Sequence, residues 1–213
     1  MYKLIDCNKN DVILDPTCGS GTFLTNAMAN MLNEADEHEK QIIKENNLIG
    51  IETDGFNATL AGINMMLHGD GASNIFKDDC FRKMPEIKDC FNKSLMNPPF
   101  GKGFDPLNFV LQTLNNMQNN GMCASILPIS HILDKEHKEI RKELTSKHGL
   151  IKSVLLPNNL FFPNAQIATC ILIFKAYDLS NQIKAYDYTD DGYEIKMRIG
   201  REPINDKIKI EEF

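Results

Sequence analysis

A short apolar run, Val12-Ile13-Leu14, passes directly into Asp15-Pro16-Thr17-Cys18-Gly19-Ser20-Gly21, and a helical pattern follows at once. In that pattern Phe23, Leu24, Ala27, Met28, Met31 and Leu32 repeat at about 3.6-residue spacing. Strand, glycine loop, helix is the opening of a nucleotide-binding α/β unit. Glycines let the backbone approach a ligand closely, and the helix start offers unpaired N–H groups to a carboxylate or phosphate.

The chain continues in the same rhythm. Residues 34–47 are acidic and polar and read as the exposed end of the first helix plus a connection. Leu48-Ile49-Gly50-Ile51 is a second strand ending at Glu52, where an acid hydrogen-bonds ribose hydroxyls in folds of this kind. Phe56, Leu60, Ile63 and Leu67 mark a second helix. Residues 74–77 form a weak third strand with Asp78 and Asp79 at its carboxyl end, placed either to meet a base edge or simply to make a turn. A fourth strand, residues 93–96, opens into Asn97-Pro98-Pro99-Phe100-Gly101. A helix (106–116), a strand (122–127), a charged helix (135–147) and two strands (151–156 and 168–174) follow. Alternation of this kind predicts an α/β fold, a Rossmann-like, doubly wound and mostly parallel sheet.

The tail differs. Tyr193, Ile195, Met197 and Ile199 alternate with Glu194, Lys196 and Arg198, the pattern of a half-buried strand, and Asp190-Asp191-Gly192 before it is hairpin-turn chemistry. A β-hairpin annex from about Ile183 is expected, dividing the chain into a catalytic domain, 1–180, and an extension, 181–213.

No apolar run reaches the length of a membrane span, and the N-terminus lacks a secretory pattern. The six cysteines lie far apart with no C-x-x-C pair, which suggests neither metal nor disulfide framework and fits a reducing, cytoplasmic setting. A net charge of −6 argues against unaided binding to nucleic acid, because the phosphate backbone asks for a basic surface. Such a role needs a local basic face or a partner that supplies one.

Two consecutive prolines forbid helix and remove two backbone donors, so residues 97–100 are held extended at the strand's end. The Asn97 side chain and the Asn97 and Pro98 carbonyls then stand beside the flat face of Phe100. Two acceptors beside an aromatic ring suit a planar group bearing an N–H₂; a proline-rich turn with Phe100 capping the core is the plainer alternative. The glycine loop alone also fits NAD, but it is not G-x-G-x-x-G and carries a proline. The combination is more specific, since glycine loop, acid, acid and N-P-P-F all fall at carboxyl ends of strands, where open α/β sheets bind ligands.

Residues 15–21 together with Asn97-Pro98-Pro99-Phe100 resemble the S-adenosylmethionine-dependent DNA adenine-N6 methyltransferases. Residues 121–128, Ile140-Arg141-Lys142-Glu143-Leu144, and Leu156-Pro157 through Phe161-Phe162-Pro163 to Thr169 are similar to the modification subunit of type I restriction-modification systems. The resemblance implies a class I methyltransferase fold with S-adenosylmethionine as cofactor, held by Asp15, Pro16, Cys18, Gly19, Ser20, Gly21, Glu52 and Asp79. Gly19, Ser20 and Gly21 would cradle its methionine part, Asp15 would shape the loop, and Asp79 would face the adenine amine. Cys18 would be a small buried loop residue. The implied catalytic set is Asn97, Pro98, Pro99 and Phe100, with two acceptors on the target amine and a ring stacked on the flipped base. The implied partners are DNA, a specificity subunit and a restriction subunit.

Only ten residues precede the first strand, without the family's F-x-T-P-like element, so a fragment or truncated product is expected. Lys102, Lys196, Arg198 and Arg201 are the basic candidates for a DNA-facing edge. His68, His131, His137 and His148 have no matched partners in the sequence and receive no catalytic role. Methylation of an RNA base or a protein glutamine, and a silent scaffold that docks a specificity subunit, are the rival readings.

Overall fold

The computed structural model describes residues 1–69, 74–101, 103–162, 167–179, 182–196 and 200–204. Ten strands and seven helices run in chain order among them. The first half holds β1 (Ile13–Asp15), α1 (Thr22–Asn33), α2 (Glu37–Asn46), β2 (Leu48–Glu52), α3 (Gly55–Leu67), β3 (Asn74–Lys77), α4 (Cys80–Lys83), β4 (Lys93–Met96) and α5 (Pro106–Asn116). The second half holds β5 (Met122–Pro128), α6 (Ile129–Leu133), α7 (Lys138–Lys147), β6 (Gly149–Leu155), β7 (Thr169–Lys175), β8 (Lys184–Asp187), β9 (Tyr193–Lys196) and β10 (Gly200–Pro203).

The main sheet has the order β3-β2-β1-β4-β5-β7-β6-β8. β1 to β5 pair in parallel, so their carboxyl ends share one edge. β7 runs antiparallel to both β5 and β6. The reason is visible in the chain: no helix intervenes between β6 and β7 among the described residues, and a parallel return needs a crossover.

Both faces of the sheet are covered, which is why its strands are short apolar runs rather than alternating ones. Successive residues point to opposite cores. Leu14, Ile49, Ile51 and Met96 pack with Leu107, Val110 and Leu114 of α5. Ile13, Leu48 and Leu95 pack on the other side with Leu24, Ala27, Met28 and Met31 of α1. Pro106 opens α5 at a position where its missing N–H costs nothing, and the Asp105 side chain accepts from Leu107 N at 3.0 Å to cap it.

Three local expectations change. Residues 37–46 are a separate helix, started by a capping box in which Asp36 and Glu39 bond reciprocally. The charged stretch from residue 135 begins as a 3-10 turn, Lys135–His137, and only then becomes α7. β8, expected as the first arm of the hairpin, instead extends the main sheet by pairing in parallel with β6. The hairpin is β9 with β10, and Asp191 serves it by an ion pair to Arg201 rather than as the turn. Met197, Arg198 and Ile199 of the alternating pattern lie outside the described residues.

The glycine loop is seated by α3. Gly21 precedes α1 with φ +82°, and a Cβ there would come within 3.3 Å of the Ala61 Cβ and 3.4 Å of its Cα. Asn64 of α3 also donates its amide N–H to Ser20 O at 2.8 Å. Gly21→Ala therefore combines left-handed backbone strain with a contact against helix backbone. It should destabilise the fold by about 1–3 kcal/mol, read as a lowered urea midpoint with an unchanged slope.

Candidate active site

The carboxyl ends of β1, β2, β3 and β4 deliver Asp15, Glu52, Asp78 and Asn97 to one edge. Glu52 is the joint between the first two. Its Oε2 accepts from Gly19 N at 2.9 Å and its Oε1 from Asp54 N at 2.8 Å. Oε1 also takes a long 3.4 Å bond from Thr53 Oγ1, while Oε2 keeps a further lone pair, so the group can still accept from a ligand hydroxyl. Gly19 has φ +52°, and a Cβ there would meet nothing within 4 Å, so open space lies beside the loop.

Asp15 is buried, with Oδ1 accepting from Thr17 N at 3.0 Å. Burial pushes its carboxyl up to about 7, against the Thr17 N–H, which favours the charged form; the nearby Glu52 carboxylate adds to the rise. Asp79 begins α4, and its Oδ1 accepts from Phe81 N at 2.8 Å; its second oxygen has no hydrogen-bond partner among the described residues. The turn and the ligand-facing reading of Asp79 are therefore compatible, one oxygen for each.

A cavity of about 350 Å³ sits over this edge, with Glu52, Asp79, Thr17, Phe81, Asn97 and Phe104 in its wall. Pro16 and Pro99 also line it. The Phe81 and Phe109 rings lie 4.7 Å apart at 51°, and Phe104 packs on Phe109 at 6.3 Å. A second cavity, of about 480 Å³, lies on the other side of the N-P-P-F stretch, lined by all four of its residues together with Leu160, Phe161, Phe162 and Ile167. There Phe100 meets Phe161 edge-on, with centroids 6.2 Å apart and an angle of 89°. Asn97 and Pro99 belong to both walls. The Asn97 side chain is exposed and has no hydrogen-bond partner among the described residues, while Pro98 is buried.

The structure thus gathers Pro16, Glu52, Asp79 and Asn97 around the first cavity and the whole N-P-P-F stretch around the second. Asp15, Cys18, Gly19, Ser20 and Gly21 lie outside both linings. Asp15 and Cys18 are buried, and Cys18 N bonds Ile51 O at 3.0 Å, fastening the loop to β2. Thr17, Phe81, Phe104 and Phe109 join the first wall without having been expected there, and Phe161 joins the second without an expected role of its own. Phe161 sits on the connection between β6 and β7, and such a contact has no periodic signature.

The N-6 DNA methylase family matches residues 1–108 and 104–202. The chain belongs to the N-6 DNA methylase family.

A type II restriction enzyme and methyltransferase of Heyndrickxia coagulans, RM.BcgI, is 34% identical over 94% of this chain and 34% of its own length. The EcoEI type I methylase subunit of Escherichia coli is 26% identical over 88% of this chain and 42% of its own. The chain therefore spans between a third and a half of these relatives. Among solved structures, a modification subunit of a putative type I restriction enzyme from Vibrio vulnificus superposes with a TM-score of 0.73 at 24% identity, covering 95% of this chain and 46% of that one. A putative class I S-adenosylmethionine-dependent methyltransferase from Listeria monocytogenes gives 0.70 at 18%, over 89% and 62%. The fold of this N-6 DNA methylase family member is that of the class I methyltransferases.

The first cavity fits the cofactor that fold implies. The Thr17 Oγ1 is buried without a partner at its wall, and no side chain caps the N-terminus of α1, so donors and acceptors remain to be used. Among the described lining residues there is no Lys, Arg or His, whereas Glu52 and Asp79 are acids, with Asp15 behind them. A cationic ligand suits that field; a pyrophosphate does not.

The two described basic candidates for a DNA edge, Lys196 and Arg201, are paired with acids. Arg201 grips Asp191 with 2.8 and 2.6 Å contacts, and Lys196 lies 2.8 Å from Glu202 and 3.9 Å from Glu194. Lys102 and Arg198 lie outside the described residues. No described helix is long and apolar enough to cross a membrane.

Because Asp15 ionises near 7 in the folded chain but near its ordinary value unfolded, stability present at low pH is lost as pH rises from about 4 to 7. Asp15→Asn removes that loss. Between pH 4 and 8 the unfolding free energy of the variant should gain on the wild type by up to about 4 kcal/mol, measured by urea titration at each pH.

Proposed function

We propose that this chain is the catalytic unit of a DNA methyltransferase that uses S-adenosylmethionine to methylate adenine N6. The observation that carries the reading is the shared wall, since Asn97 and Pro99 separate an acidic, aromatic cavity from a second one faced by Phe100 and Phe161. One cavity suits a donor with a positive centre, the other a flat base taken out of its stack.

Residue roles follow from position. Glu52 accepts from the ribose hydroxyls with the Oε2 lone pair left free by Gly19 and with the Oε1 position that the long Thr53 bond occupies. Asp79 offers its unpaired oxygen to the adenine amine of the cofactor. Gly19 to Gly21 and the start of α1 receive the methionine carboxylate, while Asp15 and Cys18 hold the loop from beneath. When bound, S-adenosylmethionine supplies an electrophilic methyl group on a sulfonium.

The target amine is a poor nucleophile because its lone pair is delocalised into the purine. Acceptors on both of its N–H bonds, from the Asn97 side chain and the Pro98 carbonyl, favour a pyramidal nitrogen with its lone pair directed outward. The work is positioning and electrostatics, so no covalent intermediate is required. Cys18 is buried and its thiol is raised by desolvation, which suits a structural part and not a nucleophile.

The proposed setting is a restriction-modification system, with DNA, a specificity subunit and a restriction subunit as partners in the cytoplasm. The names of the relatives support it, as does their greater length. So does the outer face of α3, where Phe56, Met66 and Leu67 are 77%, 65% and 79% exposed. A net charge of −6 makes a partner-supplied basic surface the natural route to DNA.

Calorimetric titration tests the first step. S-adenosylmethionine should bind saturably and NAD should not. Glu52→Ala should weaken binding by roughly tenfold to a hundredfold, as loss of charged hydrogen bonds does. Asn97→Ala should leave cofactor affinity within about threefold while abolishing methyl transfer in the assembled complex. Binding of NAD in place of S-adenosylmethionine overturns the proposal.

A further inference from the structure

Pro98 and Pro99 fix the start of the N-P-P-F stretch. Of the described residues that follow it, Gly101 and Gly103 stand beside open space and Phe104 is 53% exposed. A Cβ at Gly101 or Gly103 would meet nothing within 4 Å, Gly103 has φ +92°, and the turn closes with Phe104 N to Gly101 O at 3.2 Å. The far end is Asp105, and it is bound twice. Its Oδ1 caps α5 through Leu107 N at 3.0 Å, and its Oδ2 lies 3.0 Å from His137 Nδ1. A carboxylate only accepts, so the ring nitrogen donates.

His137 is itself well held. It ends the 3-10 turn after α6, with its side chain only 13% exposed, and stacks on His131 at 4.4 Å and 29°. Its Nε2 faces the exposed Glu136 at 3.1 Å. Arg141 of α7 donates to the carbonyls of His131 and Asp134, so the turn is tied to the body of the domain. Phe104, next to Asp105, stands in the wall of the first cavity. The segment therefore connects both cavities, and its far end, besides running into α5, is bonded by one side chain to another part of the chain.

Building on the proposed function, we propose that His137 is a positioning residue for methyl transfer, holding Asp105 so that Phe104 and the N-P-P-F stretch keep their places at the two cavities. Helix capping by Asp105 alone would hold α5 and would not need His137. The pair makes the segment a strap fastened at both ends.

The test uses amide hydrogen exchange of the full chain, with cofactor affinity measured beside it. His137→Phe keeps a ring to stack on His131 and removes the donor. It should speed exchange at Phe104 and Leu107 by roughly tenfold and weaken S-adenosylmethionine binding by about threefold to tenfold, while amides of β5 and β7 stay unchanged. His137→Asn, which keeps a donor near the Nδ1 position, should restore both readouts to within about twofold of wild type. Unchanged exchange at Phe104 and Leu107 in His137→Phe overturns the proposal, and so does failure of His137→Asn to restore it. If His137→Phe loosens β5 and β7 as well, Asp105→Ser decides. It keeps a capping oxygen but is too short to reach His137, so exchange should rise at Phe104 and not at Leu107. No change at Phe104 there also overturns the strap. A wild-type chain that does not bind S-adenosylmethionine would sink the methyltransferase reading, while the exchange result still decides the strap.

Discussion

The Glu52 carboxylate is the fastening on which the site depends. It takes the backbone N–H of Gly19 from the loop after β1 and that of Asp54 from the turn after β2. A parallel pair such as β1 and β2 aligns its ends but leaves the loops beyond them free to diverge. One carboxylate with four acceptor positions joins the two loops and still has capacity for a ligand. The same side chain is therefore structural and, on the proposed function, also a recognition group, so an alanine there removes a loop fastening as well as a ligand contact.

Much of this was legible because the sheet is parallel and covered on both faces. Val12-Ile13-Leu14 and Leu48-Ile49-Gly50-Ile51 are apolar runs bounded by loop residues, and each delivers its terminal acid to the same edge. The helices α1, α3 and α5 followed from spacing alone. The pieces that were not legible are those held by single side-chain bonds between distant segments. Asp36 and Glu39 form a capping box whose D-x-x-E signal was present but was hidden by the surrounding charge. His137 has its partner 32 residues away in Asp105, and Phe161 its partner 61 residues away in Phe100. β8 was misplaced for a related reason: four exposed residues carry no sign of which edge they will join.

The two cavities divide the chemistry by character. Carboxylates at Glu52 and Asp79, with Asp15 behind, make the first a place for positive charge, and three phenylalanines give it a flat wall. The second has no described ionisable lining residue and two rings set edge to face. A neutral aromatic slot favours an uncharged base over anything with a fixed charge, because desolvating a charge there would go uncompensated.

Acids at the strand ends favour positive charge, and the same acids repel a phosphate backbone brought to that edge. The described cations of the hairpin are consumed within it, as Arg201 closes on Asp191 and Lys196 on Glu202. On the proposed function, affinity for DNA and affinity for the cofactor pull on the charge of the edge in opposite directions. A basic surface supplied by a partner would resolve that conflict, because it attracts phosphates without weakening the acidic field of the first cavity.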